Sequence, residues 1–276
     1  MDIFNENKIA LLIDGDNAQS KFIESMLAEA GKHGKVTVRR IYGNWTDNKL
    51  SSWKEQISKY AIRPIQKFAF VKGKNSTDTA MIIDAMDILH SKTVTGFCIA
   101  SSDSDYTGLA QRIREEGVFV MGIGEAKITT DAFVNACDIF VFTENLAAFS
   151  EKTQQKQTVK NIKQQLNQAK KETTETDKKQ PEITIELPKN KITNQLIDLK
   201  LLMNAFEMVV DDNGLAYMGE IGVALRKIDP SFDSRTYGFA SITTLFKQLS
   251  NLFEFVYQDN GTSLYLKLKN TKQNLI

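Results

Sequence analysis

Five aspartates stand where a carboxylate can do chemistry. Asp14 and Asp16 lie in Ile13-Asp14-Gly15-Asp16-Asn17, and Asp103 and Asp105 in Ser101-Ser102-Asp103-Ser104-Asp105. Asp78 follows Lys72-Gly73-Lys74-Asn75-Ser76-Thr77. Carboxylates that converge on one point repel each other unless a cation sits among them. Oxygen-only donors suit Mg2+ or Mn2+. Such an ion activates water and stabilises the attacking and leaving oxygens of a phosphodiester. Other chemistries fit poorly. His33 and His90 are too few and too scattered for a histidine mechanism, and no Gly-rich phosphate loop is present. Cys98 and Cys137 alone form neither a disulfide framework nor a four-ligand zinc site.

Taken singly, each acid has a second reading. Asp14 before Gly15 fits a turn, Asp103 a helix cap, and Asp78 the first turn of a helix, where negative charge is favoured. Their coincidence at strand ends is what favours a site. Asp84 is six residues after Asp78, about 240° round a helix, and its role stays open. Asp131 suits a cap, although it could complete the acidic ring. Asp87 suits a solvated face and Asp138 the start of a strand.

The elements that must position these acids alternate. Ile9–Ile13 is an unbroken apolar run, the mark of a strand covered on both faces. Apolar residues at helical spacing follow over 18–30. Strands are expected at 36–42, 62–71, 97–100, 118–123 and 138–142, and helices at 50–60, 79–89, 106–116 and 130–136. Alternation of this kind implies a parallel sheet with helices on both faces. Sites in such sheets lie at the carboxyl ends of the strands, where the three acidic clusters fall. Asp14 and Asp103 face one crevice if strands one and four are neighbours.

Beyond residue 150 the composition changes. Residues 151–195 carry a net +4, no aromatic and no glycine. They read as a flexible basic linker, a solvated spacer or a tether able to touch a polyanion. Residues 1–150 carry a net −2 and 196–276 a net −1, so the overall +1 names no partner. Residues 197–210, 217–228 and 241–252 read as three helices. Two alternating strands, 253–257 and 264–268, follow, joined by Asp259-Asn260-Gly261, a hairpin signal. That is the outline of a winged helix. Three regions result: 1–150, 151–195 and 196–276. No run is long and apolar enough for a membrane helix, and two cysteines fit a reducing cytoplasm.

Residues 8–146 resemble an NYN domain, the LabA/DUF88 branch of the PIN-like nucleases. The resemblance rests on Ile9-Ala-Leu-Leu-Ile-Asp14-Gly-Asp-Asn17, Lys72-Gly-Lys-Asn-Ser-Thr-Asp78-Thr-Ala-Met-Ile-Ile-Asp84, Ile99-Ala-Ser-Ser-Asp103-Ser-Asp105-Tyr106 and Phe133-Val-Asn-Ala-Cys-Asp138. It implies a PIN-like (Rossmann-like) sheet and a Mg2+- or Mn2+-dependent ribonuclease. Asp14, Asp78, Asp103 and Asp105 would hold metal, and Asn17 would orient substrate or water. Asp84 matches a recurring acid of the family, and Ser102 stands where the family commonly has Gly. Residues 196–269 resemble an OST-HTH (LOTUS) domain through Ala216-Tyr-Met-Gly-Glu-Ile-Gly222 and Arg235-Thr-Tyr237-Gly238-Phe239. That resemblance implies RNA binding and protein partners, a homodimer among them.

Backbone contacts to RNA are expected from Arg39, Arg40, Lys72, Lys74 and Lys127 near the crevice. Arg235, Tyr237 and Lys247 are the candidates on the winged helix; Tyr237 and Phe239 equally suit its small core. Trp45 suits packing, with stacking on a base as the other reading. The alternative to a ribonuclease is a catalytically silent NYN-fold protein that binds RNA or acts as a scaffold.

Overall fold

The run Ile9–Ile13 becomes the centre of a two-faced sheet. A computed structural model describes residues 7–46, 48–66, 76–146, 197–258 and 262–269. In β1 (Lys8–Asp14) every residue after Lys8 is buried. Side chains of a strand alternate between faces. Ala10 and Leu12 pack with Met81, Ala85, Leu109, Ile113 and Phe133. Ile9, Leu11 and Ile13 pack with Ile23, Met26, Ala30 and Trp53 on the other side. Each fully buried Leu or Ile contributes roughly 1.5–3 kcal/mol, so two covered faces explain a strand without polar alternation.

The remaining strands are β2 (Lys35–Gly43), β3 (Arg63–Gln66), β4 (Gly96–Ala100), β5 (Phe119–Gly124) and β6 (Ile139–Phe142). All pair in parallel, in the order β3-β2-β1-β4-β5-β6. α1 (Ile23–Gly31) and α2 (Trp53–Lys59) cover one face. α3 (Ser76–Ser91), α4 (Thr107–Glu115) and α5 (Asp131–Ala136) cover the other. The order reverses between β1 and β4, which opens a crevice at their carboxyl ends. Ile13 pairs with Ala100, so Asp14 and the Ser101–Asp105 segment leave neighbouring strands, as the sequence required of a shared site.

The second unit has α6 (Leu199–Glu207), α7 (Met218–Ile228) and α8 (Ile242–Gln248). Its antiparallel sheet has the order β7-β9-β8, with β7 (Leu215–Tyr217), β8 (Phe253–Gln258) and β9 (Ser263–Leu268). Asp198 caps α6 by accepting from the Lys200 and Leu201 amides. Ser241 and Thr244 form a capping box at α8. β7 has no sequence counterpart above: three residues are too short for a pattern, and the strand exists by pairing with β9. The 151–195 linker, the 259–261 turn, Lys72 and Lys74 lie outside the described residues. No helix among those described is long and apolar enough to cross a membrane.

The two units touch. The Phe140 amide of β6 donates to the Pro230 carbonyl at 2.8 Å, Arg235 Nη1 meets Glu29 Oε1 at 2.6 Å, and Asn145 Nδ2 meets Thr236 Oγ1 at 3.0 Å.

Gly15 shows how tightly the crevice is built. Its amide donates to the Tyr42 carbonyl at 2.8 Å, and a Cβ there would sit 2.7 Å from that oxygen. Backbone cannot swing aside as a side chain can. Gly15→Ala is therefore expected to cost about 1–3 kcal/mol, read as a lower urea midpoint with an unchanged slope.

Candidate metal centre

Asp14 ends β1 and is fully buried, an expensive place for a carboxylate. Its oxygens are met by short donors. Asn17 Nδ2 donates to Oδ2 at 2.7 Å, Ser101 Oγ to Oδ2 at 2.9 Å, and the Asp16 amide to Oδ1 at 3.2 Å. Burial raises the Asp14 carboxyl above the ordinary value, and the bonds from Asn17 and Ser101 pull it back only in part.

Above it stands a second layer. Asp78, in the first turn of α3, Asp103, just after β4, and Asp105 each offer a carboxylate oxygen within 4.8 Å of the others. The Tyr106 hydroxyl links the layers. It donates to Asp78 Oδ1 at 2.8 Å and lies 3.4 Å from Asp14 Oδ2. Burial, then the charge of Asp14, hold the Tyr106 phenol far above its usual range, so it stays a donor. Burial and the neighbouring charges of Asp14, Asp103 and Asp105 raise Asp78, while the Tyr106 bond lowers it. Mutual repulsion of this kind is what a divalent ion relieves, and the all-oxygen donor set fits Mg2+ or Mn2+.

The turn after β4 is built by its own side chains. Asp103 accepts from the Asp105 amide at 2.9 Å and so caps the following helical turn. Capping does not take Asp103 out of the three-carboxylate group, since a carboxylate has two oxygens. Ser102, the departure from the family's Gly, is buried and its Oγ accepts the Glu125 amide at 2.8 Å. It ties the ends of β4 and β5 together.

Other sequence candidates are placed elsewhere. Both oxygens of Asp84 are taken, by the Arg40 guanidinium and the buried Tyr42 hydroxyl. Asp84 thus pins α3 to β2, and Arg40 is committed to it. Arg39 donates to the Tyr60 carbonyl at 2.9 Å. Asp16 and Asp131 are exposed and outside the three-carboxylate group. Lys127 and Lys247 are exposed. Arg235 is held by Asp233 and Glu29. Tyr237 packs on Phe232 at the edge of the small core. Trp45 packs against the α1 face and donates to the Ile65 carbonyl at 3.1 Å. Asn17 reaches Asp14, which makes it a positioning group. Sequence reasoning missed the part of Tyr106. The available signal was a hydroxyl-bearing residue directly after the acidic cluster, at a helix start whose apolar face is buried.

A raised carboxyl favours the proton-bound folded state. The stability it contributes is present below the unfolded value of 3.8 and is lost as pH rises through the raised value. In EDTA, wild-type stability relative to Asp14→Asn should therefore grow as pH falls from about 8 to about 4. Urea unfolding across that range tests it, and parallel curves for the two proteins would contradict it.

Two family models match the chain, the second beginning inside the stretch expected as linker. The NYN domain model matches residues 8–147, and the OST-HTH/LOTUS domain model matches residues 184–265. No curated protein matches. The crystal structure of a protein of unknown function from Vibrio parahaemolyticus is 20% identical, with a TM-score of 0.43, over 51% of this chain and 96% of its own. The solution structure of an uncharacterized protein from Nitrosomonas europaea is 30% identical, with a TM-score of 0.28, over 37% of this chain and 99% of its own.

Proposed function

Since the chain belongs to the NYN-domain family and carries an OST-HTH/LOTUS domain behind it, we propose that it is a divalent-metal-dependent ribonuclease whose winged helix engages RNA. The observation that carries this reading is the convergence of Asp78, Asp103 and Asp105 above the buried Asp14. In it residues 1–150 hydrolyse the phosphodiester, 151–195 join the domains, and 196–276 bind RNA or a protein partner, a second copy included. The buried thiols of Cys98 and Cys137 suit a reducing cytoplasm.

Asp78, Asp103 and Asp105 hold Mg2+ or Mn2+ in this reading, with Asp14 adding charge from below. When bound, the ion supplies charge neutralisation at the phosphate and a more acidic water. The chain's own groups do the rest. Tyr106 stays protonated and fixes the Asp78 carboxylate by its hydrogen bond. Asn17 and Ser101 offset part of the burial that disfavours the Asp14 carboxylate and fix where its oxygens lie. The Asp105 amide fixes the rotamer of Asp103. Preorganisation of this kind avoids rearranging the ligands at each turnover. Exposed Lys127, on the loop after β5, is a described cation for the RNA backbone.

Asp103→Asn should cut Mn2+- or Mg2+-dependent cleavage of labelled RNA by at least about a thousandfold, as loss of a group central to electrostatic stabilisation does, with thermal unfolding in EDTA little changed. Undiminished cleavage by that variant removes the site assignment. Intact RNA with the wild-type protein under both ions, alongside metal-independent binding, would favour a catalytically silent RNA-binding protein.

A further inference from the structure

We propose that the winged helix is a docked domain, latched in cis onto the edge of the parallel sheet by Arg235 on Glu29. The latch is built in steps. Asp233 caps the helical turn Ser234–Tyr237 by accepting the Arg235 amide at 2.8 Å. The same carboxylate grips the Arg235 side chain, with Nε at 2.9 Å and Nη2 at 2.5 Å from Oδ2. That grip leaves Nη1 aimed at Glu29 Oε1, 2.6 Å away. Arg235 is 16% exposed and Glu29 8%. Glu29 is otherwise met by Lys32 at 2.7 Å. Burial works against the Arg235 charge, but the two carboxylates more than offset it and hold the guanidinium ionised.

Around the latch the seam is polar and specific. β6 is the edge strand, and an edge strand's free amides invite pairing with other chains. The Phe140 amide is instead capped by the Pro230 carbonyl. Asn145 and Thr236 exchange hydrogen bonds at 3.0 and 3.3 Å. The seam also holds a cavity of about 740 Å³, lined by His33, Met218, Val223 and Arg226 among others. Beside this partly open cavity the charged and hydrogen-bonded contacts fix how the two surfaces align.

The Arg235–Glu29 contact and the metal centre lie toward opposite ends of the strands. His33 stacks on Phe119, the first residue of β5, at 5.0 Å. The Glu29 end of α1 therefore lies toward the amino ends of the strands, opposite the ends from which Asp14 and the Ser101–Asp105 segment emerge. Docking fixes where the winged helix sits, and it engages Arg235 and Thr236 in contacts within the chain.

The test uses the full chain with Asn145→Cys and Thr236→Cys, whose side chains face each other across the seam. Cys98 and Cys137 are buried and do not compete. Mild oxidation should give a disulfide within the monomer, seen as a mobility shift on a non-reducing gel. Adding Arg235→Glu should slow its formation at least about tenfold, because a buried carboxylate then faces another. Glu29→Arg in the same chain should restore most of the rate. Glu29→Gln, which leaves the winged helix untouched, should slow it as well and covers the case in which Arg235→Glu fails to fold. No disulfide, or one formed only between chains, overturns docking in cis. A rate indifferent to Glu29→Gln and Arg235→Glu, or a swap no faster than Arg235→Glu alone, overturns the latch.

Discussion

Everything at the candidate centre depends on holding one carboxylate where water does not reach it. Asp14 closes the central strand of a sheet covered on both faces, so burial is forced on it by topology. Four groups act on that single side chain: the amide of Asn17, the hydroxyl of Ser101, the backbone amide of Asp16 and, at longer range, the phenol of Tyr106. Three more carboxylates then gather beside it, and burial together with the charges of Asp14, Asp103 and Asp105 makes Asp78 harder to ionise. Such an arrangement sacrifices stability in the free protein to hold a charge ready for a cation, a familiar tension between folding and function.

The acids divide by partner rather than by type. Asp84 and Asp78 share one helix, yet Asp84 faces Arg40 and Tyr42 while Asp78 faces Tyr106. A carboxylate beside a guanidinium has its charge answered already and helps to hold α3 on the sheet. A carboxylate beside other carboxylates instead adds like charge to its neighbours. The same rule separates the cations. Arg39, Arg40 and Arg235 are spent on carbonyls or carboxylates within the fold, whereas Lys127 and Lys247 stay in solvent.

Polar contact between the two domains matters for the same reason. A net charge near zero hides a distribution in which each excess finds its own counterpart. Glu29 of the acidic half meets Arg235 of the winged helix, and an exposed sheet edge is closed by a carbonyl from outside the sheet. Small domains seldom bury enough apolar surface to hold together across a seam, so a few aligned charges set the geometry.

Much was legible because it follows from short-range patterns. The unbroken run Ile9–Ile13 announced a strand with two covered faces, and strand–helix alternation announced the parallel sheet. The acids were visible from their types and their places at strand ends. β7 was not visible, since three residues carry no period and the strand needs β9 to exist. Tyr106 was read as part of a helix; its hydroxyl becomes a bridge only when α3 and β1 bring Asp78 and Asp14 to either side of it. Arg235 looked like a surface cation because its partner Glu29 is 206 residues distant in the chain. Sequence by itself determined the elements, the two-domain plan and the set of candidate acids, through periodicity and composition. Tertiary structure alone decided which charges are answered and which are not, because that depends on distances between residues far apart in the chain.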